Sequence, residues 1–146
     1  MSIQMREILP GSDIDDFVRL PELQYPGDPG FVMPLYMEQR DRLNPKKNPF
    51  FLHAEGTLFT AYQDGQLAGR ISAQIDREHL ARYADGCGFF GFFDTVNDPK
   101  VGRALVDAAS SWLKARGMKV MRGPFSLSIN EEIGTMVEGH SEPAMV

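Results

Sequence analysis

The stretch GFFGFFDTVNDPKVGRALVDAASSWLKARG, Gly88 to Gly117, reads as an aromatic strand, a short turn and a long amphipathic helix. Phe89, Phe90, Phe92 and Phe93 fall on both faces of the strand, which suits a central strand covered on both sides. In the helix Asp98 can cap, Pro99 suits the first helical position, and Val101, Ala104, Leu105, Ala108, Trp112 and Leu113 form one buried stripe. Gly117 is a natural stop. A strand that feeds a helix through a tight loop presents unpaired N–H groups and a partial positive charge, a setting that suits phosphate. A nucleotide-like cofactor is the first ligand class this predicts.

Working outward, Lys119 to Phe125 reads as a following strand and Ser128 to Glu138 as a last short helix capped by Ser128 or Asn130. Upstream, Thr57 to Tyr62 and Leu67 to Ile75 flank Gln63-Asp64-Gly65-Gln66, a strong hairpin signal. In the second of these strands Leu67, Gly69, Ile71, Ala73 and Ile75 alternate with Arg70, Ser72, Gln74 and Asp76, which predicts one buried and one polar face. Asp76 to Asp85 is polar and reads as a loop or helical turn. Nearer the start, Ile3 to Leu9 is a strand ended by Pro10-Gly11, and Ser12 or Asp13 caps a helix carrying Ile14, Phe17, Val18 and Leu20, with Pro21 either interrupting it or starting a second turn. Tyr25 to Pro34 reads as an ordered loop and Leu35 to Leu43 as a short helix. The order predicts an α/β fold with an antiparallel front half and a parallel strand-helix-strand back half.

The chain has 146 residues, one domain by size, and about 68–70% of the surface of an unfolded chain of this length is buried on folding. With 42% hydrophobic and 24% charged residues it lies among ordinary globular proteins. A net charge of −5 and no run of five or more like charges argue against nucleic acid as a main partner. The single cysteine, Cys87, cannot form an internal disulfide, and the N-terminus MSIQMREILPG holds no signal or membrane-spanning stretch, so a cytoplasmic protein with no membrane partner is expected.

The element order, with RALVDAASSWLKARGM after the aromatic strand, resembles the GNAT superfamily of acyl-CoA-dependent N-acetyltransferases. That family carries a signature of Gln or Arg, two variable residues, Gly, one variable residue, then Gly or Ala. Here it falls on Asn97, Asp98, Pro99, Lys100, Val101 and Gly102, and only the final glycine matches. Three longer strings resemble a little-characterised GNAT-like branch: NPKKNPFFLHAEG (Asn44 to Gly56), GFFGFF (Gly88 to Phe93) and RGPFSLSINEEIG (Arg122 to Gly134).

The resemblance implies a single GNAT-like domain over residues 1–146, a GNAT-like mixed sheet and acetyl-CoA or another acyl-CoA as donor. Its acceptor would be a small-molecule or peptide amine that attacks the thioester directly. It places Phe92, Phe93 and Asp94 beside the cofactor, the alternative being that the phenylalanines simply fill a core. The pyrophosphate would meet Lys100, Val101, Gly102 and Arg103. Asn130 matches a position where the family often touches the cofactor, and it is equally a helix cap. Glu131 and Glu132 are general-base candidates, or complements to a helix dipole. The family's usual thiolate-protonating tyrosine would fall near Val137, where none stands. A non-catalytic GNAT-like ligand-binding or interaction module is the rival reading.

His53 and Glu55 offer an acid-base pair near the hairpin, but the three histidines show no metal-ligand or triad spacing, and surface roles are expected. Cys87 reads as a small buried thiol, and Lys46 and Lys47 as a solvated loop. Two further strands follow the short helix in a complete GNAT fold, so a truncated domain with an open sheet edge is expected, and with it dimerisation or aggregation.

Overall fold

A computed structural model describes residues 2–24, 26–27, 33–128 and 132–134. Five strands form one sheet in chain order: β1 (Ile3–Ile8), β2 (Ala54–Gln63), β3 (Gln66–Asp76), β4 (Cys87–Thr95) and β5 (Val120–Arg122). The first four run antiparallel to their neighbours, while β5 joins β4 in parallel, as the strand-helix-strand order predicts. The hairpin turns at Asp64-Gly65, both at positive φ (52° and 83°), the conformation that selects Asp-Gly. The middle position belongs to β3, not to the phenylalanine strand. β4 is nonetheless covered on both faces.

One face is sealed by α4 (Pro99–Ala115), whose Val101, Leu105, Ala109, Trp112 and Leu113 pack on Phe59, Ile71, Ala73 and Ile75. Asp98 caps its first turn, accepting from the Lys100 N–H at 2.9 Å. Its end is a Schellman turn: the N–H of Met118 reaches the Leu113 carbonyl and that of Gly117 (φ 85°) reaches Lys114. Fully burying a Leu or Val side chain is worth roughly 1.5–3 kcal/mol, so this stripe is a large part of what holds the sheet.

The opposite face carries α1 (Asp15–Gln24), α2 (Tyr36–Arg42) and a 3-10 turn at Pro49–Leu52, around a second core of Ile14, Phe17, Val18, Leu43, Phe50 and Phe92. Two expectations change here. Pro21 neither interrupts α1 nor starts a separate turn but lies buried within the helix. The polar side of β3 is not solvent-facing either: Ser72 is 1% exposed and Gln74 0%, because α1 and residues 125–127 cover it. Each covered group has a partner there, as buried polar atoms require.

The segment 77–83, read as loop or helical turn, is a helix, α3 (Arg77–Tyr83), capped by Asp76. The strand expected over 119–125 breaks at the cis Gly123–Pro124 bond. Beyond it β6 (Phe125–Ser126) pairs antiparallel with β7 (Glu132–Ile133). A helix over 128–138 is therefore wrong at 132–133, where the backbone is strand. Among the described residues no helix is long and apolar enough to cross a membrane.

Candidate functional site

β4 is bulged where the resemblance places the cofactor. Ser72 pairs with Gly91 and Arg70 with Asp94, so Phe92 and Phe93 together face Ile71, and Phe92 takes φ 49°. β5 accompanies β4 only from Cys87 to Phe89. Past that point residues 125–127 cross over the face opposite α4. The Phe125 carbonyl rests on the α-carbon of Gly91, where only a glycine leaves room, and the Phe92 N–H reaches Ser126 Oγ at 3.4 Å.

Phe92, Phe93 and Asp94 thus meet at the bulge. Phe92 is 5% exposed, edge-on to Phe17 at 5.7 Å. The Asp94 carboxylate takes two bonds from Arg70, at 3.0 and 3.1 Å. Phe93 is the exposed member, at 37%.

At the start of α4 the geometry differs from an open phosphate nest. The Lys100 N–H is bonded to the Asp98 carboxylate, and the N–H groups of Val101 and Gly102 both point to the Asp98 carbonyl. Asp98 also accepts from Gln63 Nε2 at 2.7 Å. The Lys100 N–H, then Gln63, hold its carboxyl below the usual carboxylate range. Val101 is buried in the core, whereas Lys100 and Arg103 are exposed. A β-carbon on Gly102 would meet only ordinary contacts, 3.8 Å from Phe93 and Thr95. Asn130 and Glu131 lie outside the described residues, and Glu132 contributes its backbone to β7.

Sequence reasoning passed over a cavity of about 340 Å³ on the face opposite α4. His79, Tyr83, Asp85, Phe89, Arg122 and Phe125 help to line it. Phe89 and Phe125 stack at 4.9 Å, and His79 sits edge-on to Phe89 at 5.0 Å. His79 Nε2 lies 2.9 and 3.1 Å from the two Asp85 oxygens, and Asp85 accepts the Cys87 N–H at 3.0 Å. The bond from His79 leads the interactions that keep the Asp85 carboxyl low. The six-residue separation of this pair matches no catalytic motif. It closes because Ala84 takes φ 48° after α3 and turns the chain back.

His53 and Glu55, the acid-base pair the sequence offers, take separate partners. His53 Nδ1 meets Asp76 at 2.7 Å, while Glu55 lies 3.9 Å from Arg116. His79, Asp85 and Cys87 bring potential ligand atoms within 4.8 Å of one another, as do His53, Asp76 and Glu78, a closeness hidden in the linear spacing. In both clusters the histidine and an aspartate already satisfy each other by hydrogen bonding. Cys87 is fully buried, and burial pushes its thiol pKa up, as a small core thiol requires. Lys47 pairs with Asp41 at 3.0 Å, both well exposed.

No family model matches the chain. Among curated proteins it is 41% identical over 139 residues to protein YghO of Escherichia coli. It is 45% identical over 137 residues to the bacterial ceramide synthase of Caulobacter vibrioides. These alignments cover 95% and 92% of the chain, which spans only 35% of the length of each relative. Among solved structures it is similar to the tandem GNAT protein of the clavulanic acid biosynthesis pathway (TM-score 0.61, 10% identity, 82% of this chain and 35% of that one). It is also similar to AAC(6')-Iy in complex with a CoA-containing bisubstrate analogue (TM-score 0.56, 16% identity, 89% and 84%). A probable acetyltransferase from Staphylococcus epidermidis superposes at TM-score 0.56, with 16% identity over 82% of this chain and 71% of that one. With β4 bulged beside a diverging β5 and α4 packed behind both, the chain has the fold of the GNAT acetyltransferases.

Proposed function

We propose that this chain carries the reacting centre of an acyl-CoA-dependent N-acyltransferase whose acceptor is a long-chain amino alcohol. The observation that carries the reading is the bulge at Phe92 and Phe93, beside which β5 leaves β4 and an aromatic cavity opens. The acceptor class rests on the relative named for ceramide synthesis, since a ceramide is the amide of such an amino alcohol. The acyl thioester lies along the main chain of Phe92, Phe93 and Asp94, and positioning with backbone polarisation does most of the chemistry. The first-turn N–H groups of Lys100, Val101 and Gly102 are engaged, so the Lys100 and Arg103 side chains meet the pyrophosphate. Asn130 as a cofactor contact, and Glu131 and Glu132 as acid-base groups, belong to the same reading. Cytoplasmic residence does too.

The test is release of free CoA thiol from acetyl- and long-chain acyl-CoA in the presence of sphingoid amines and short amines, with calorimetry of each donor. Turnover that prefers a long-chain amine is the expected result. No donor binding at millimolar acyl-CoA would sink the reading. The rival is a GNAT-like binding module without turnover, favoured by the carboxylate of Asp98 standing where a phosphate would sit. Binding of acyl-CoA with no thiol release from any amine would select it.

A further inference from the structure

The cavity opposite α4 gathers a base, its orienting carboxylate and an apolar wall in one place. The His79 side chain is half-buried and Asp85 is exposed, so the pair stands at the cavity lip with its carboxylate side open to solvent. Asp85 is itself fixed by the Cys87 N–H, and the imidazole is fixed by Phe89 and by Tyr83, 4.8 Å away between ring centres. With Nε2–H donated to the carboxylate, Nδ1 carries the lone pair. The His79 ring has no hydrogen-bond partner other than Asp85 among the described residues.

The cavity adjoins the bulge through one short piece of chain. Phe125 stacks on Phe89 in the cavity wall, its carbonyl rests on Gly91, and Leu127 lines the cavity and packs in the same core as Phe92. Phe125 and Leu127 thus belong both to the cavity wall and to the segment that lies on β4 at the bulge.

We propose that His79, oriented by Asp85, is the proton acceptor for the acceptor amine, a catalytic residue in a cavity that takes the amine end of the substrate. This rests on the N-acyltransferase reading. The incoming ammonium gives one proton to His79, and the freed nitrogen lone pair forms a bond to the thioester carbonyl carbon. The tetrahedral adduct then collapses with cleavage of the carbon–sulfur bond. The nitrogen loses its second proton to solvent, and the leaving thiolate takes the proton held by His79. No oxidant or further reactant is needed.

The experiment compares the wild-type protein with His79→Gln, His79→Ala and Asp85→Asn. Thiol release is followed with long-chain acyl-CoA and a sphingoid amine across the pH range in which histidine titrates. The expected result for His79→Gln is a fall in kcat/KM of about 10²-fold or more, with loss of the acidic limb of the pH profile and unchanged acyl-CoA affinity. Asp85→Asn lowers the rate in the same direction, and added imidazole partly restores His79→Ala. Imidazole rescue and the pH limb keep the test decisive if one variant is unstable, because a merely structural histidine gives neither. A His79→Gln enzyme within about twofold of wild type, with its pH profile intact, overturns the proposal and leaves the acyltransferase reading standing. So does a loss that appears only in Glu131→Gln or Glu132→Gln. A wild-type protein that turns over no amine removes both.

Discussion

Arg70 Nη1 donates a 2.9 Å hydrogen bond to the carbonyl of Phe17, the carbonyl that Pro21 leaves without its helical donor. Proline has no N–H, so the carbonyl four residues earlier loses its partner. In α1 that carbonyl is buried, and a guanidinium from the middle strand replaces the missing bond. The same side chain binds Asp94 and lies over the rings of Phe17 and Phe92, at 5.1 and 5.4 Å. Arg70 therefore ties the proline-bearing helix to the bulge of β4, and Asp94 serves that tie whatever else its main chain binds.

Removing Arg70 takes two hydrogen bonds from the Asp94 carboxylate and one from the buried Phe17 carbonyl. Arg70→Met is expected to cost about 1–3 kcal/mol, the range for leaving the buried Phe17 carbonyl unmet, because the partly exposed Asp94 carboxylate can turn to water. Pro21→Ala returns an N–H to the Phe17 carbonyl, so the double variant should lose less than the sum of the two single ones, by about 1 kcal/mol. Urea midpoints of the four proteins measure the coupling, and additivity within about 0.5 kcal/mol would show that Pro21 is not the reason for the contact.

Gly91 is a glycine because another backbone lies on it. A β-carbon there would overlap the Phe125 carbonyl, and backbone has little room to yield. Gly91→Ala should therefore destabilise by about 2 kcal/mol or more and loosen the crossing of residues 125–127. Hydrogen exchange at the Phe92 N–H, which bonds to Ser126, reports the loosening. An unchanged urea midpoint with unchanged exchange would mean the crossing is not as close as described.

The contrast explains what was legible in the sequence. Asp98, Pro99 and Gly117 mark the ends of α4 by local rules, and the Asp-Gly turn and the parallel β5 follow from local chemistry and handedness. Arg70, Ser72 and Gln74 alternate as an exposed face would, yet distant segments cover them: Gln74 bonds the carbonyls of Phe125 and Leu127, more than fifty residues on. Their burial is a tertiary fact with no local mark. The His79–Asp85 pair was missed for a related reason, since the left-handed Ala84 that closes it is a residue type with no preference for that conformation. The bulge at Phe92 is likewise unmarked, and the resemblance points only to Phe92, Phe93 and Asp94 as cofactor neighbours, not to the extra residue.

Gly102 separates two ways of holding a phosphate. It lies one turn inside α4 at φ values that alanine accepts, and an added β-carbon meets nothing closer than 3.8 Å. Gly102→Ala should raise stability by up to about 1 kcal/mol through helix propensity alone. If Lys100 and Arg103 grip the pyrophosphate by their side chains, acyl-CoA affinity survives this change and falls in the Lys100→Ala, Arg103→Ala double variant. Calorimetry showing the reverse pattern would return the grip to the glycine backbone.

Asp98 gives stability a pH dependence of known sign. Its carboxyl pKa is lowered in the folded chain, first by the Lys100 N–H and then by Gln63, so folding favours the ionised form. The contribution is present above the unfolded value of about 3.9 and is lost as pH falls through the lower folded value. Asn at the same position still caps a helix but does not titrate. The stability difference between wild type and Asp98→Asn should then be steady near neutrality and shrink as the pH drops below about 4. Urea midpoints for the two proteins across that interval measure it. A difference that stays constant to low pH would mean that the ionised carboxylate is not what closes the first turn of α4, and the same turn would then be open to an anion from outside.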